Sequence, residues 1–275
     1  MPNDSIVKTV AVALGVCLVC SMMVAGAVVT LRPIQDRNIR LDRKRNVLLA
    51  AGLLEPDQKA DIDALFARLE AEVVDLETGE PVPGEDPESF DPAVLLREPS
   101  GARSLPAEKD IAGIRRRPNR QVVYFLRENG RLRRVILPVY GKGLWSTMYG
   151  LIALGPDLNT VESFGFFAHA ETPGLGGEVD NPRWKGQWIG KRVFDASGQP
   201  RLEVVKGRVP PDAPHAEHQV DGLSGATLTG RGVTNLVRFW LGEQGYGPLL
   251  ERLRRERAAE SAELEDSAES ADSAP

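Results

Sequence analysis

The longest apolar stretch of the chain lies near its N-terminus. Residues 9–31 form a run of 23 residues without a charged side chain, rich in Val, Ala, Leu and Met. A helix rises about 1.5 Å per residue, so this run would extend about 34 Å, enough to cross a hydrocarbon layer of about 30 Å. The pattern predicts a transmembrane helix over residues 9–31, preceded by an N-terminal segment of residues 1–8.

A cleaved signal peptide is the alternative interpretation of this run, because Ala25, Gly26 and Ala27 resemble a cleavage site. The run continues past these residues to Leu31, and it is longer than the core of a typical signal peptide, which favours a retained membrane anchor. Six basic residues follow the run within residues 32–45. Counted alone, they would place the rest of the chain in the cytoplasm, although a long translocated domain can override that bias.

Helical patterns occur at the two ends of the remaining chain. A Glu-Pro-Asp start signal predicts a helix over residues 58–69. Near the C-terminus, apolar residues at i, i+3, i+4, i+7 and i+8 predict an amphipathic helix over residues 230–241, which Gly242 ends. Its apolar stripe consists of Val233, Leu236, Val237, Trp240 and Leu241. A second short helix is predicted to begin at Pro248.

Strand patterns fill the middle of the chain. The predicted strands cover residues 122–126, 132–139, 148–154, 161–169, 188–194 and 201–209. The first two form a hairpin around Asn129-Gly130, a pair that suits a tight primed turn, and the last two form a pair that turns at residues 197–200. Residues 77–120, rich in Pro, Glu, Asp and Arg, predict a long surface connection with little core. This succession predicts one α+β domain over residues 32–257, an antiparallel sheet with flanking helices.

Composition limits the chemistry that this domain can perform. The formal net charge of −5 argues against nucleic acid as a partner. Both cysteines, Cys17 and Cys20, lie inside the apolar run. Their spacing is that of a redox or metal pair, but a free cysteine in an apolar helix also behaves as a small hydrophobic residue. The soluble region has no cysteine, which excludes disulfides, cysteine zinc sites and a cysteine-ligated iron–sulfur cluster. Residues 258–275 predict a disordered acidic tail.

Small residues precede the amphipathic helix, at Ser224-Gly225-Ala226-Thr227. They allow a ligand to approach the backbone, and Thr229 is a candidate N-cap. The unpaired N–H groups and positive dipole end of a helix start favour phosphate, and Lys206 could add a nearby cation. By composition alone, an ordinary helix start that binds nothing fits the same residues.

The four residues 224–227 also resemble the flavinylation motif of the FMN-binding domains of sodium-translocating NADH:quinone reductases (Nqr) and of their Rnf relatives. The order of several further blocks is similar to that in the C subunits of these reductases, over about residues 5–250. These blocks are residues 42–48, 141–150, 169–176, 221–222, 232–242 and 245–248. The B subunits, which carry the same motif, are multi-span membrane proteins, so the single apolar run of this chain argues against them.

The resemblance implies one covalent FMN per chain, joined through its phosphate to Thr227. It implies that a separate flavin transferase makes this bond from FAD, so that Thr227 accepts a modification and no residue of the chain is catalytic. The other residues implied at the flavin site are Ser224, Gly225, Ala226, Lys206, Trp145, Ser146, Thr147, Glu171, Thr172, Leu175 and Gly176. Core packing is the alternative role for Trp145, and a solvated surface carboxylate is the alternative for Glu171.

The implied function is electron relay, from an iron–sulfur centre to this FMN, then to the FMN of the B subunit and to quinone, coupled to Na⁺ export. The other reductase subunits and the bilayer of a bacterial inner membrane are the implied partners, and the family's transferases imply a periplasmic domain. The sequence lacks a nucleotide-binding G-x-G-x-x-G after a strand. His215 and His218 lack a third metal ligand within sequence reach. The alternatives are an Rnf-type or stand-alone anchored flavoprotein, or a scaffold without redox activity.

Overall fold

The computed structural model describes residues 6–272, and it divides the chain into two compact units, Met1–Arg45 and Asn46–Pro275. Of the predicted N-terminal segment and acidic tail, residues 1–5 and 273–275 lie outside the described residues. The helices are α1 (Ile6–Ala50), α2 (Ile62–Phe66), α3 (Pro92–Arg97), α4 (Pro182–Gly186), α5 (Thr227–Leu241) and α6 (Gly247–Asp272). The strands are β1 (Leu69–Asp75), β2 (Ala102–Ser104), β3 (Arg116–Pro118), β4 (Arg120–Glu128), β5 (Arg131–Lys142), β6 (Thr147–Leu154), β7 (Val161–Ala168), β8 (Glu203–Val204) and β9 (Gln219–Val220).

Helix α1 contains the whole predicted apolar run and is longer than it at both ends. An 18-residue window within it has a mean hydropathy of 2.5, and the side chains of that window are exposed. An exposed helix of this composition is stable where lipid replaces water around it. By length and composition, α1 is therefore able to cross a membrane.

A five-stranded antiparallel sheet, in the order β1-β4-β5-β6-β7, forms the framework of the second unit. The predicted hairpin is confirmed as β4 and β5, and its turn has positive φ angles at Asn129 (53°) and Gly130 (78°), as a primed turn requires. The predicted strands over residues 148–154 and 161–169 are confirmed as β6 and β7. The antiparallel sheet with flanking helices is therefore the fold that the sequence predicts.

Two apolar clusters pack against this sheet. In one, Leu137 and Ile152 of the sheet lie with Leu236 and Trp240 of α5. The indole Nε1 of Trp240 donates to the carbonyl oxygen of Tyr140 at 2.6 Å, which fixes α5 against β5. In the other cluster, residues of the sheet pack with the buried apolar residues of the segment 47–54. The apolar stripe predicted for residues 230–241 is thus the face that α5 buries.

The predicted helix over residues 58–69 is wrong for most of its length. The Asp61 carboxylate accepts from the backbone N–H of Asp63 and of Ala64 and starts the single-turn helix α2. Leu69 then begins β1, whose Leu69, Val73 and Val74 are buried and which pairs with β4. The backbone groups of β4 need a partner on this side of the sheet, and this tertiary requirement overrides the local helical pattern.

The predicted surface connection over residues 77–120 contains more structure than expected. It includes α3 and the two-stranded sheet of β2 and β3, and it buries Phe90, Ala102 and Ala112. The side chain of Arg117 is also buried and donates to the carbonyl oxygen of Gln244 at 2.8 Å. This segment is packed onto the domain and is not a solvated linker.

The predicted strand pair over residues 188–194 and 201–209 is wrong, although its turn is present. Among the described residues, a single bridge between Phe194 and Pro200 takes the place of the expected ladder. The Asp195 carboxylate holds the turn by accepting from the N–H of Ser197 and of Gln199. Pro200 has no N–H to continue a ladder, and β8 pairs instead with β9, in parallel.

The C-terminal helices are longer than predicted. Helix α5 begins at Thr227, three residues before the predicted start, and α6 continues to Asp272. The segment predicted as a disordered tail from residue 258 is therefore helical as far as the described residues extend. The predicted domain limits remain predictions.

Candidate functional site

Thr227 is the first residue of α5 and is exposed. The N-cap residue is Ala226, whose side chain offers no oxygen to the N–H groups of the first turn. These N–H groups have no partner within the helix, so the start of α5 favours an anion. The predicted N-cap, Thr229, lies inside the helix and is fully buried, so that prediction is wrong.

A cleft of about 230 Å³ lies beside Thr227. Lys206, two residues after β8, and Arg231, four residues after Thr227 on α5, both line it. A Cβ atom on Gly222 would lie 2.4 Å from the carbonyl oxygen of Val205, so a glycine is needed where these segments cross. Sequence reasoning missed Arg231, although its i+4 spacing from Thr227 places both residues on one helix face.

The Glu171 carboxylate is the centre of a buried hydrogen-bond cluster; its residue is only 4% exposed. Its Oε1 accepts from the backbone N–H of Trp145 at 3.0 Å and of Ser146 at 3.1 Å. Its Oε2 accepts from the N–H of Leu144 at 3.2 Å and from the hydroxyl of Thr229 at 2.7 Å. We call these five residues the Glu171 cluster. It joins the loop before β6, the loop after β7 and the first turn of α5.

The hydrogen bonds of this cluster favour the ionised carboxylate. Burial alone raises the pKa of Glu171, but the bonds from Thr229, Trp145, Ser146 and Leu144 outweigh burial, and the pKa lies below its ordinary value. A carboxylate ion has only acceptor sites, and here each of its oxygens receives at least two donors. Glu171 is therefore buried and hydrogen-bonded, and it is not the solvated carboxylate of the alternative interpretation.

Two glycines allow the loops to close around this carboxylate. A Cβ atom on Gly143 would lie 2.5 Å from Glu171 Oε1. A Cβ atom on Gly176 would lie 2.7 Å from the Thr229 hydroxyl and 2.8 Å from Glu171 Oε2. Gly176, which is predicted at the flavin site, therefore leaves the space that the Glu171 carboxylate and the Thr229 hydroxyl occupy.

The loop after β7 is also fastened by His169 and Ser146. The Nδ1 atom of His169 accepts from the N–H of Glu171 at 3.2 Å, which leaves Nε2 to donate to the Asp180 carboxylate at 2.8 Å. The Ser146 hydroxyl accepts from the N–H of Ala170 at 2.8 Å. Ser146 thus contacts both loops, as a residue that shapes the site.

Exposed apolar side chains lie on the loops that the cluster holds. Trp145 is 67% exposed, so it does not pack in the core, and Leu175 is 43% exposed. Gly225 has φ +69°, and a Cβ atom there would lie 2.8 Å from Leu175 Cδ2, so Leu175 reaches the small-residue motif. The structure thus brings Leu175 next to residues 224–227, and its contact with a flavin stays a prediction.

The remaining predicted residues lie around this region. Ala226 is buried and Ser224 is exposed, both directly before α5. Thr147 is the first residue of β6, and the carbonyl oxygen of exposed Thr172 accepts from the N–H groups of Leu175 and Gly177. No group of three or more His, Cys, Asp or Glu residues that could hold a metal occurs among the described residues.

Comparison with known proteins identifies the family. Residues 143–242 match the FMN-binding domain family. The C subunit of the Na⁺-translocating NADH-quinone reductase of Pseudomonas aeruginosa is 50% identical over 258 residues, which cover 93% of this chain and 99% of that protein. The corresponding protein of Yersinia pestis is 50% identical over 255 residues, 92% of this chain and 94% of that protein.

A solved structure supports the same assignment. The crystal structure of Shewanella oneidensis NqrC is 35% identical and superposes with a TM-score of 0.72, covering 78% of this chain and 98% of that chain. The identity and the coverage of the two curated relatives extend well beyond the four-residue motif, through both ends of the domain. This chain therefore belongs to the family of C subunits of the Na⁺-translocating NADH-quinone reductases, and it contains the FMN-binding domain of that family.

Proposed function

We propose that this chain carries one FMN, joined by a phosphoester to Thr227, and relays electrons within a Na⁺-translocating NADH:quinone reductase. The observation that carries the proposal is the position of Thr227. Thr227 is exposed at the start of a 15-residue helix and lines a cleft together with Lys206 and Arg231. A hydroxyl in this position can hold a phosphate against two cations and the positive end of a helix dipole.

The charges of the cleft suit a phosphodiester. This group keeps one negative charge, and Lys206 and Arg231 both lie on the cleft wall. Glu203 also lines the cleft, but its carboxylate is paired with the Arg238 guanidinium at 2.8 Å. The remaining positive charge favours an anion at Thr227.

The exposed side chains of Trp145 and Leu175 supply an apolar surface for a flat aromatic ring. Both lie on loops that the buried Glu171 carboxylate holds. The flavin ring would therefore contact a preorganised surface. FMN, when bound, accepts and donates electrons. The chain's own residues orient the cofactor, and its attachment prevents loss by dissociation.

Attachment at Thr227 needs an external catalyst. We propose that a flavin transferase uses FAD as the donor. The Thr227 oxygen forms a bond to the phosphorus of the FMN half, the phosphoanhydride bond to AMP breaks, and AMP leaves. A base of the transferase takes the hydroxyl proton. A threonine hydroxyl is a weak nucleophile without a base. The Glu203 carboxylate lines the cleft but is paired with the Arg238 guanidinium, so it is a poor candidate for that base. Thr227 is accordingly a modification site.

The names of the relatives point to the complex in which this FMN would act. The 50% identical proteins belong to a Na⁺-translocating NADH-quinone reductase. We propose that this chain receives electrons from an iron–sulfur centre in another protein of the reductase and passes them to the FMN of the B subunit, towards quinone. Its soluble region has no cysteine, so a thiolate-bound cluster must lie elsewhere. Helix α1 would hold the chain in the inner membrane, with the domain in the periplasm.

The covalent bond is tested by in-gel flavin fluorescence under denaturing conditions, after co-expression with a matching flavin transferase. The wild-type band should fluoresce, and mass spectrometry should place FMN on the peptide that contains Thr227. Thr227→Ala should abolish the fluorescence. Thr78→Ala, which changes an exposed threonine outside the site, serves as the matched control and should remain fluorescent. A fluorescent Thr227→Ala band would place the attachment on another residue.

Two further measurements separate the alternatives. Co-purification with the other reductase subunits supports the relay, whereas co-purification with an Rnf-type set supports the Rnf alternative. A topology reporter fused after Leu250 should be active only in its periplasmic format. Activity in the cytoplasmic format would overturn the proposed membrane side.

A further inference from the structure

We infer that Thr229 is a positioning residue for the modification of Thr227. Its hydroxyl, bonded to the buried Glu171 carboxylate, holds the first turn of α5 in the orientation that presents Thr227 to the flavin donor. This inference rests on the proposed covalent attachment at Thr227. It concerns Thr229, which lies two positions after Thr227 and which the flavin does not need to contact.

The two threonines lie on opposite sides of one helical turn. Residues two apart on an α-helix are separated by about 200° around its axis. Thr227 is accordingly exposed, whereas Thr229 is 0% exposed. A hydrogen bond that fixes Thr229 therefore also fixes the direction in which Thr227 points, because both belong to the same rigid turn.

No side chain of the described residues caps the start of α5. Ala226, the N-cap, makes no side-chain hydrogen bond to the first turn. The backbone bond from the N–H of Gly230 to the carbonyl oxygen of Ala226 begins the helical ladder. Gly225 before it has a positive φ of 69°, a conformation that glycine adopts without strain. The bond from Thr229 to Glu171, at 2.7 Å, thus links this turn to the rest of the site.

Glu171 is a suitable fixed point for this bond. Its carboxylate is held by the N–H groups of Leu144, Trp145 and Ser146. Because the carboxylate is ionised, the bond from the Thr229 hydroxyl is charge-assisted, and such bonds are shorter and stronger than neutral ones. The same ion holds the loop that carries Trp145. Thr229 therefore joins the proposed attachment point to the loop that would contact the flavin ring.

The bonds around Glu171 give it a structural role beside the polar contact that the family resemblance implies for it. Its oxygens are engaged by protein donors, so it acts on a ligand through the loops that it holds. The hydroxyl of Thr229 is the part of the cluster that can be removed with the least change of shape, since valine has nearly the same volume. This makes Thr229 the position at which positioning and packing can be distinguished.

The experiment measures the rate at which the full-length chain is flavinylated by a purified flavin transferase with FAD, per amount of folded protein. Thr229→Val keeps the shape and removes the hydroxyl, and its rate should fall about tenfold or more, because small misplacements of a reacting group are costly. Thr229→Ser restores a hydroxyl and should recover most of the wild-type rate. Tyr246→Phe is the matched control: it removes another buried hydroxyl, which donates to the Pro138 carbonyl oxygen at 2.7 Å, and should be modified normally.

A second variant approaches the same bond from the other side. In Gly176→Ala the added Cβ would lie 2.7 Å from the Thr229 hydroxyl and must displace it, so modification should also slow. A wild-type rate in folded Thr229→Val, or a Thr229→Ser rate as low as that of Thr229→Val, would overturn the inference. If Thr229→Val does not fold, normal modification of Gly176→Ala would overturn it. Failure of the wild type to acquire flavin would instead overturn the proposed function.

Discussion

The central sheet and the segment of residues 169–226 are held together by different means. In the sheet, long antiparallel ladders pair the backbone groups of neighbouring strands, as in the eight-residue register between β5 and β6. In the segment of residues 169–226, the strand pairing described by the structure is limited to isolated bridges and the two-residue pairing of β8 with β9. There, side chains accept from the backbone, as when Asp221 accepts from the N–H of Val209 at 2.8 Å.

This difference explains where the site is built. A regular ladder satisfies its own backbone groups and leaves none to fix a loop, whereas a buried carboxylate can collect donors from segments that are far apart in sequence. Glu171 does so for the loop at residues 144–146 and for Thr229, 58 positions later in the chain. The sheet therefore provides stability, and the irregular segment provides the geometry around Thr227.

The largest effect should follow from a change in the sheet. Ile152 is fully buried in the cluster between the sheet and α5. Ile152→Ala should lower the free energy of unfolding by about 2–5 kcal/mol, measured by denaturant titration, because it removes apolar contacts and leaves a cavity. Ile152→Val is the control and should cost about 0.5–1.5 kcal/mol. Equal losses in the two variants would contradict tight packing of the sheet against α5.

A smaller effect should follow from a change in the irregular segment. Gly225→Ala forces a residue with a Cβ to adopt φ +69° and should cost about 1–2 kcal/mol in the free energy of unfolding. Gly174→Ala is the matched control: its φ is +74°, and no atom lies within 4 Å of the added Cβ. The two losses should be similar, since the contact at Gly225 is with the movable end of Leu175. A much larger loss for Gly225→Ala would mean that Leu175 is held rigidly.

The smallest effect should come from mild acid, acting through Glu171. Because the folded-state pKa of Glu171 lies below its ordinary value of 4.5, its ionisation stabilises the fold above that value. This contribution should be lost as the pH falls from 4.5 through the folded-state pKa. Stability measured from about pH 7 to about pH 3 should therefore fall more steeply for the wild type than for Glu171→Gln. Parallel curves would contradict the lowered pKa.

Local sequence patterns were sufficient where neighbouring residues decide the structure. The Asn129-Gly130 turn, the strands on either side of it and the apolar stripe from Val233 to Leu241 all follow from residues close in the chain. Local sequence patterns failed where a segment distant in the chain decides the structure. The helical pattern before Leu69 gave way to β1 because β4 needed an edge partner. The pair around residues 197–200 kept its turn and lost its ladder at Pro200.

The sequence by itself determined the apolar N-terminal run, the main strands, the amphipathic helix and the small-residue motif that ends at Thr227. It also placed the chain in its family, through blocks spread over most of its length. Only the tertiary structure decided that Thr229 points inward, that Glu171 is buried with a lowered pKa, and that Arg231 and Lys206 line one cleft. The physical reason is that these relations join segments remote in sequence. A hydrogen bond between residues 171 and 229 leaves no periodic signal, whereas a helix face or a tight turn does.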